Sequence, residues 1–599
     1  MHLLAAQPGG FVEEEGIIDL NQDPAKVVIL AAADTSLAML ATAAEQLGDQ
    51  LPSIRLANWS NLLKPAAFDL YEHKVLEQAQ LVMVSLLGGA GYWDYGFSRL
   101  QAWQKAKPNR TLILVPGDDS PDPQLTLASS CQPDCCHLVW QYLRQGGVSN
   151  GINLLRYLRH QLEQATHTDA TPASTPGWQQ PAQLPQALIY QPGIAQASLT
   201  DWQKSTLANG LKDAPVVALL FYRSHLQSGN TRMFDGLMAS LVEQGMNPIA
   251  LAVTSLKDAQ ALALVNHTLK QSNTKLVLSS LGFASNKVDA PSLSSAPTHF
   301  KLPIEGDIPV LQLVLSSTTS QAWREHKQGL RSRDIAMQVV LPEMDGHVLT
   351  RAISFKSMGY YSKLCQIELV GYELEPERAQ FVARLAKGYC SLGHKANGDK
   401  RIALILANYP TKDGRIGNGV GLDTPQSAIN VLQAMKDAGY AIDTVPPNGN
   451  ALIETLLESV TNNPNTLHHL PCWQSLDSKV YLEHFAKLPK ACQDAVWQRW
   501  GSPEKDPKYR QGRIMLAGMR LGETFVGIQP ARGYNLDLTA NYHDPDLVPP
   551  HSYLAFYFWL RHVYQVDAVI HLGKHGNLEW LPGKGVALSG QCWPEVALG

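Results

Sequence analysis

The 599-residue chain has little cysteine and little net charge, and each shortage removes a class of function. Eight irregularly spaced cysteines do not make the dense framework of a disulfide-stapled secreted fold. Lys and Arg number 49 against 53 Asp and Glu, a formal charge of −4 that gives no electrostatic footprint for nucleic acid. No apolar run approaches the ~20 residues that a membrane-spanning helix needs. The opening MHLLAAQPGGFVEEEG has neither a basic start nor a sustained apolar stretch. The expectation is a cytoplasmic protein with no membrane and no nucleic-acid partner. Nucleotide-loop and zinc-peptidase signatures are also missing. Ahead of Gly583-Lys584, Leu578 stands where a phosphate-binding loop has its first Gly, and Gly585 follows in place of Ser or Thr. A zinc peptidase has Glu directly after its first helical His, whereas Leu572 follows His571.

What is present is concentrated in HLGKHGNLEWLPGK, His571 to Lys584. It places His571 and His575 four residues apart and Glu579 four further on, with Trp580, Lys574 and Lys584 on a glycine-punctuated turn. Neutral imidazole and carboxylate suit divalent cobalt, zinc or iron, and ligand type alone does not choose among them. The preceding VDAVIHL is short, β-branched and apolar, so it predicts a buried parallel strand, central in its sheet, whose carboxyl end delivers His571 to a sheet edge. Gly573 and Gly576 disfavour a helix through the motif, which favours strand followed by loop.

This motif closely resembles the signature of the large subunit of class I, ATP-dependent tetrapyrrole chelatases. Lys574, Asn577 and Trp580 resemble its cobaltochelatase branch (CobN), whereas the magnesium chelatase H branch has Thr, Ser and Phe there. Further blocks resemble the same family in its order, namely ALLFYRSHLQSGN (Ala218 to Asn230), LPEMDGHVLTRAISFK (Leu341 to Lys356), LANYPTKDGRIGNGVGLDTPQSAINVLQAM (Leu406 to Met435), GIQPARGY (Gly527 to Tyr534) and NYHDPDLVPPHSYLAFYFWLR (Asn541 to Arg561). Family members are about twice this length, so the resemblance is to an amino-terminal half whose last domain is expected to be truncated. It implies insertion of cobalt(II), as substrate metal, into hydrogenobyrinic acid a,c-diamide in cobalamin biosynthesis. It also implies that ATP-Mg is hydrolysed on an AAA+ partner subunit working with an adaptor subunit, and is not bound by this chain. Two alternatives stand beside it: the large subunit of a magnesium chelatase acting on protoporphyrin IX, and a half-chain that binds metal or tetrapyrrole without turnover.

Alternation of strand-like and helical segments predicts an α/β, multidomain protein of successive doubly wound, Rossmann- or flavodoxin-like parallel-sheet units. The expected division is a domain over 1–158, a Thr/Ala/Gln/Pro-rich linker or surface excursion over 159–195, a second α/β domain over 196–396, and an incomplete core domain carrying the motif over 397–599. Within this frame His571, His575 and Glu579 are the candidate metal ligands and catalytic groups, for metal delivery or proton removal. Arg532, Lys574, Lys584 and His551 are the candidate substrate contacts. For His551 a structural role competes, and for His543-Asp544 a surface cap competes with orientation of the ligands. The glycine loop Gly414 to Gly421, ahead of Thr424-Pro425 as N-cap and N1, reads either as an anion cradle or as a tight turn. YFWL reads as buried core helix rather than as a platform for a macrocycle. Glu343, Asp345 and His347 read as ordinary turn chemistry. Cys131, Cys135, Cys136 and His137 lack the paired spacing of a metal site.

Overall fold

The computed structural model describes residues 18–118, 120–166, 177–282, 304–408, 413–417, 419–534 and 544–599. Its contacts divide the chain into two compact units, Met1–Glu325 with Leu330–Arg384 and His326–Gly329 with Leu385–Gly599. The boundary falls inside the helix Pro376–His394.

The first unit holds two sheets. In the first, β1 (Val27–Ala31), β2 (Ile54–Asn58), β3 (Leu81–Leu86) and β4 (Thr111–Pro116) lie in the order β2-β1-β3-β4, all parallel. This is the flavodoxin-like order. The first three strands are buried at every position, as continuous apolar runs covered on both faces should be. Val27, Ile29 and Ala31 pack into one core, and Val28, Leu30 and Ala32 into the other.

The second sheet is larger and mixed. Its strands are β5 (Ala187–Gln191), β6 (Ile194–Ala197), β7 (Val216–Tyr222), β8 (Asn247–Val253), β9 (Leu276–Ser279), β10 (Val310–Ser316), β11 (Val348–Ser362) and β12 (Ile367–Leu374), in the order β12-β11-β10-β9-β7-β8-β5-β6. The five middle strands are parallel, while β12 and the pair β5-β6 run antiparallel at the two edges. The parallel strands match the expected βαβ pattern, with Gly245 at φ +78° just past the helix Arg232–Glu243. The antiparallel edges come from segments with no clear alternation in sequence.

The second unit carries the motif. Strand β13 (Ile402–Leu406) is fully buried and is followed in chain order by β14 (Gln474–Asp477), β15 (Tyr509–Arg510), β16 (Arg513–Leu516), β17 (Gly518–Leu521), β18 (Thr524–Ile528) and β19 (Ala568–Leu572). One sheet has the order β17-β18-β13-β19 and a small antiparallel one has β14-β16-β15. Parallel pairing of β13 with both β18 and β19 sets Ile405 opposite Gly527 on one side and His571 on the other. The helix His551–Phe558 is buried at every residue, in agreement with the core reading of YFWL.

Strand β19 departs from expectation. It lies at the sheet edge, not the centre, and is half-buried to exposed, with Ile570 38% accessible. The apolar run reports what the strand can bury, and here one neighbour and one partly covered face take only some of it.

A test follows from that position. Amides of β19 should exchange with solvent faster than those of β13, on the order of 100-fold, because an edge strand opens without unfolding its sheet. Hydrogen exchange read by mass spectrometry decides it, and equal protection would mean that β19 is covered in solution.

Candidate functional site

Two loops leave the carboxyl ends of β13 and β19 side by side, tied through Ala407. The Ala407 N–H donates to the Leu572 carbonyl at 2.9 Å, and the Gly417 N–H donates to the Ala407 carbonyl at 2.7 Å. Gly573, at φ +148°, is required here, since a Cβ would stand 2.3 Å from that of Ala407. A bridge between Gly419 and Lys574 then joins the glycine loop to the motif. The following helix, Thr424–Asp437, is capped by Asp423, whose carboxylate accepts from the Gln426 N–H at 3.1 Å. The cap is thus one residue earlier than expected, with Thr424 and Pro425 as the first helical residues. A carboxylate already occupies the helix start, which weighs against an anion cradle there.

His571 lies on the β19 face that looks toward the buried helix His551–Phe558. Its Nε2 is 3.2 Å from the Tyr557 hydroxyl, and the rings meet edge to face at 6.0 Å. Solvent reaches the imidazole, yet protein crowds its other side, and that desolvation lowers its pKa below the ordinary histidine value. The ring is therefore neutral at pH 7. Burial, reinforced by the nearby Glu579 carboxylate, holds the Tyr557 hydroxyl up at about 12, so it remains protonated. Tyr553, one helical turn earlier, donates to Asn577 Oδ1 at 2.9 Å. Asn577 in turn donates from its N–H to Gln529 Oε1 and from Nδ2 to the Pro530 carbonyl, at 3.0 and 2.8 Å. This buried network holds the motif loop from beneath. It is extended by Asn462, which donates to the Gln529 carbonyl and accepts from the Lys508 ammonium, both fully enclosed. Burial lowers the Lys508 pKa to about 8.

His575, Lys574 and Glu579 are exposed along the loop. Among the described residues no group of three or more His, Cys, Asp or Glu side chains is arranged so that it could hold a metal ion. His571, His575 and Glu579 are each exposed and do not form a closed ligand set. Val420 is 77% exposed, beside the Gly419–Lys574 bridge, and Trp580 on the motif loop is 46% exposed.

The remaining candidates lie deeper. Arg532 is buried and its Nη2 donates to the Asp544 carbonyl at 3.0 Å. Lys584 donates from Nζ to the His326 carbonyl at 2.8 Å, and burial lowers its pKa. His551 is fully buried. Its Nε2–H donates to the Gly501 carbonyl at 2.9 Å, leaving Nδ1 to accept from the Tyr481 hydroxyl at 2.6 Å. With both nitrogens engaged it presents nothing to a substrate in this conformation. His543 lies outside the described residues, while Asp544 accepts from the Asp546 N–H in a local turn. His347 is buried against Gln312, its Nδ1 2.8 Å from Oε1, in the other unit. Tyr553, Tyr557 and Gln529 were not among the sequence candidates. The signal for the two tyrosines is their i, i+4 spacing, which puts both hydroxyls on one face of an otherwise apolar helix.

The sheet is α/β and presents imidazole, carboxylate and ammonium groups to solvent at its carboxyl edge, the place where open α/β sheets bind their ligands. Comparison with known proteins is more specific. Residues 140–599 match the CobN/Magnesium Chelatase family, and the chain belongs to that family. It is 48% identical over its full length to the aerobic cobaltochelatase subunit CobN of Pseudomonas aeruginosa and 40% identical to that of a Sinorhizobium species. It covers 46% of each, so it spans about half the length of these relatives. The H-type magnesium-chelatase subunit from Chlorobaculum parvum is 25% identical over 77% of the chain and 35% of the relative. Among solved structures, the catalytic subunit of cobaltochelatase from Mycobacterium tuberculosis superimposes with a TM-score of 0.75 at 30% identity, over 96% of this chain and 45% of that one. No helix among the described residues is long and apolar enough to cross a membrane.

The contrast between two histidines is testable by thermal or urea unfolding. Replacing His551 with Ala should cost about 2–4 kcal/mol, through a cavity and an orphaned Tyr481 hydroxyl, whereas His571→Ala should cost less than about 1 kcal/mol. Burial holds the folded His551 pKa below its ordinary value, opposed by Gly501, Asp506 and Glu504. The unfolded chain therefore takes up the proton first. This contribution to stability is complete above about pH 6.5 and is lost as pH falls through the lower folded pKa. The parent's decline in stability on acidification should accordingly be shallower in His551→Ala.

Proposed function

We propose that this chain forms the ring- and metal-facing part of a cobaltochelatase large subunit. In that role it takes part in inserting cobalt(II) into hydrogenobyrinic acid a,c-diamide, while ATP is hydrolysed by an AAA+ subunit working with an adaptor subunit. The observation that carries the reading is similarity to CobN relatives along the whole chain, motif loop included.

The chemistry of the loop supports it. Insertion requires a cation to lose water and the macrocycle to lose N–H protons. In the tautomer whose Nε2–H donates to the Tyr557 oxygen, neutral His571 keeps a lone pair on Nδ1 to accept such a proton. His575 and Glu579 act as transient cobalt ligands, and the ring nitrogens complete the coordination that the protein leaves open. Val420 and Trp580 offer apolar surface to the ring, and Lys574 offers its ammonium to a peripheral carboxylate. Arg532 and Lys584 join as substrate contacts only by exchanging their carbonyl partners for carboxylates. His551 serves the site through the fold. The presence of Lys574 and Trp580, where the magnesium branch has Thr and Phe, favours cobalt over magnesium.

The test is metal insertion by the chain supplemented with the remaining half of a CobN relative and both partner subunits, alongside macrocycle binding followed by Trp fluorescence. His571→Ala should bind the ring within about 3-fold of the parent while insertion falls by roughly 10²–10⁴-fold, the usual worth of a general base. Magnesium insertion without cobalt insertion would transfer the chain to the other branch. Ring binding with no turnover under any partner combination would make it a binding module.

A further inference from the structure

In the first unit, three thiols meet at the start of the helix Pro133–Gln145. Cys131 Sγ lies 3.3 Å from Cys136 Sγ, with Cys135 beside them. The helix has Gln132 as its N-cap, so Cys131 is the residue before the cap and Cys136 the fourth helical residue. These are the two positions whose side chains meet across a helix start in a hydrophobic staple. Here both are cysteine.

Each end of the pair is anchored. Ser130 closes the open edge of β4, its N–H donating to the Leu112 carbonyl at 2.9 Å and its Oγ accepting from the Leu112 N–H at 2.8 Å. Ser129 accepts from the Leu114 N–H at 2.9 Å. On the other side, the Cys135 and Cys136 N–H groups donate to the Gln132 carbonyl at 2.9 and 3.3 Å. The sulfurs are therefore held in contact by backbone on both sides, not brought there by side-chain chance. Cys136 and Cys135 are buried in the first core, and Cys131 is half-buried at its rim.

We infer that Cys131 and Cys136 form an oxidation site, a thiol pair that closes to a disulfide on reaction with a small peroxide and reopens with a thiol reductant. The acid–base setting favours this. A hydrogen bond from the Cys131 thiol, with a further one from Ser129, holds Cys136 down at about 7 against the opposing effect of burial, while Cys131 itself is raised. The helix start adds to the stabilisation of a thiolate. Cys135 is lowered by the same donor.

The reaction balances with peroxide as the only co-reactant. The Cys136 thiolate attacks a peroxide oxygen. The O–O bond breaks, Cys136 becomes a sulfenic acid, and the departing hydroxide takes the Cys131 proton as water. The Cys131 thiolate then attacks the Cys136 sulfur and displaces hydroxide. One thiol, one thiolate and one hydrogen peroxide give one disulfide, one water and one hydroxide. Closing the bond takes the sulfurs from 3.3 Å to about 2.0 Å.

The experiment uses the reduced full chain treated with a few equivalents of hydrogen peroxide, then alkylated and mapped by mass spectrometry. Two thiols should be lost, with a reducible intrachain link between Cys131 and the Cys135-Cys136 pair. Cys135→Ser should still form it, Cys136→Ser should not, and in Cys131→Ser a dimedone label should appear on Cys136. A link that survives Cys136→Ser, a bond at Cys492 and Cys592 instead, or full retention of the Cys131 and Cys136 thiols would each overturn the assignment. Because the decisive link is sought first in the parent chain, a variant that fails to fold does not remove the test.

Discussion

Everything at the candidate site hangs on the close approach of two backbones at Ala407. Its carbonyl accepts from the glycine loop, its N–H donates to the end of β19, and its methyl leaves room for no side chain at position 573. Parallel pairing would by itself bring β13 and β19 to the standard interstrand spacing. What it would not do is hold the two following loops against one another, and that requires a glycine at the contact. Once they are so held, Gly419 meets Lys574 and an otherwise unstructured motif gains a fixed edge. The chemistry is carried by a loop, while its placement is carried by the rigid sheet beneath it.

The second support is polar and buried. Lys508, Asn462, Gln529, Asn577 and Tyr553 form a chain of hydrogen bonds from the interior to the underside of the motif. Such a network is costly unless nearly all its members find partners, and it specifies one geometry when they do. Its position explains how a loop with exposed His575, Lys574 and Glu579 can still present them in a defined place. It also explains why Asn577 reads as a branch-specific residue while making no use of solvent: its carboxamide is spent on Tyr553 and Pro530.

Much of the fold was legible because parallel strands covered on both faces leave an unambiguous trace. VVILA, LVMVSL and VVALLFY are runs of buried residues flanked by turns, and each is a strand in the structure. The edge strands β6 and β12 were not legible, since edge strands carry mixed faces that periodicity does not separate from loop, and β5, buried throughout, lies in the stretch expected to be a linker. For β19 the strand itself was legible but its place was not: its composition is that of a central strand, and among the described residues it has one neighbour. At the site, residue types in the motif were visible at once, but their roles divided along burial. His551, a candidate substrate contact with a competing structural role, has both nitrogens committed to protein partners, whereas Tyr557 looked like core and reaches His571 with its hydroxyl. Sequence reports which groups exist, and only the packing reports which lone pairs are already engaged.

That distinction also separates the two clusters of reactive groups in this chain. At the motif the functional side chains are dispersed, solvent-facing and incomplete as a ligand set, an arrangement suited to passing a cation on and poorly suited to retaining it. A closed tetrahedral site binds metal tightly because all its ligands are preorganised. Under the proposed function, an open set that needs the ring's own nitrogens to finish it would tie cation capture to the presence of substrate. The thiol cluster has the opposite construction. Its sulfurs are held in contact by backbone on both sides, so little motion separates the reduced pair from a bonded one. Openness in one place and constraint in the other follow from the same question of which atoms have partners before any ligand arrives.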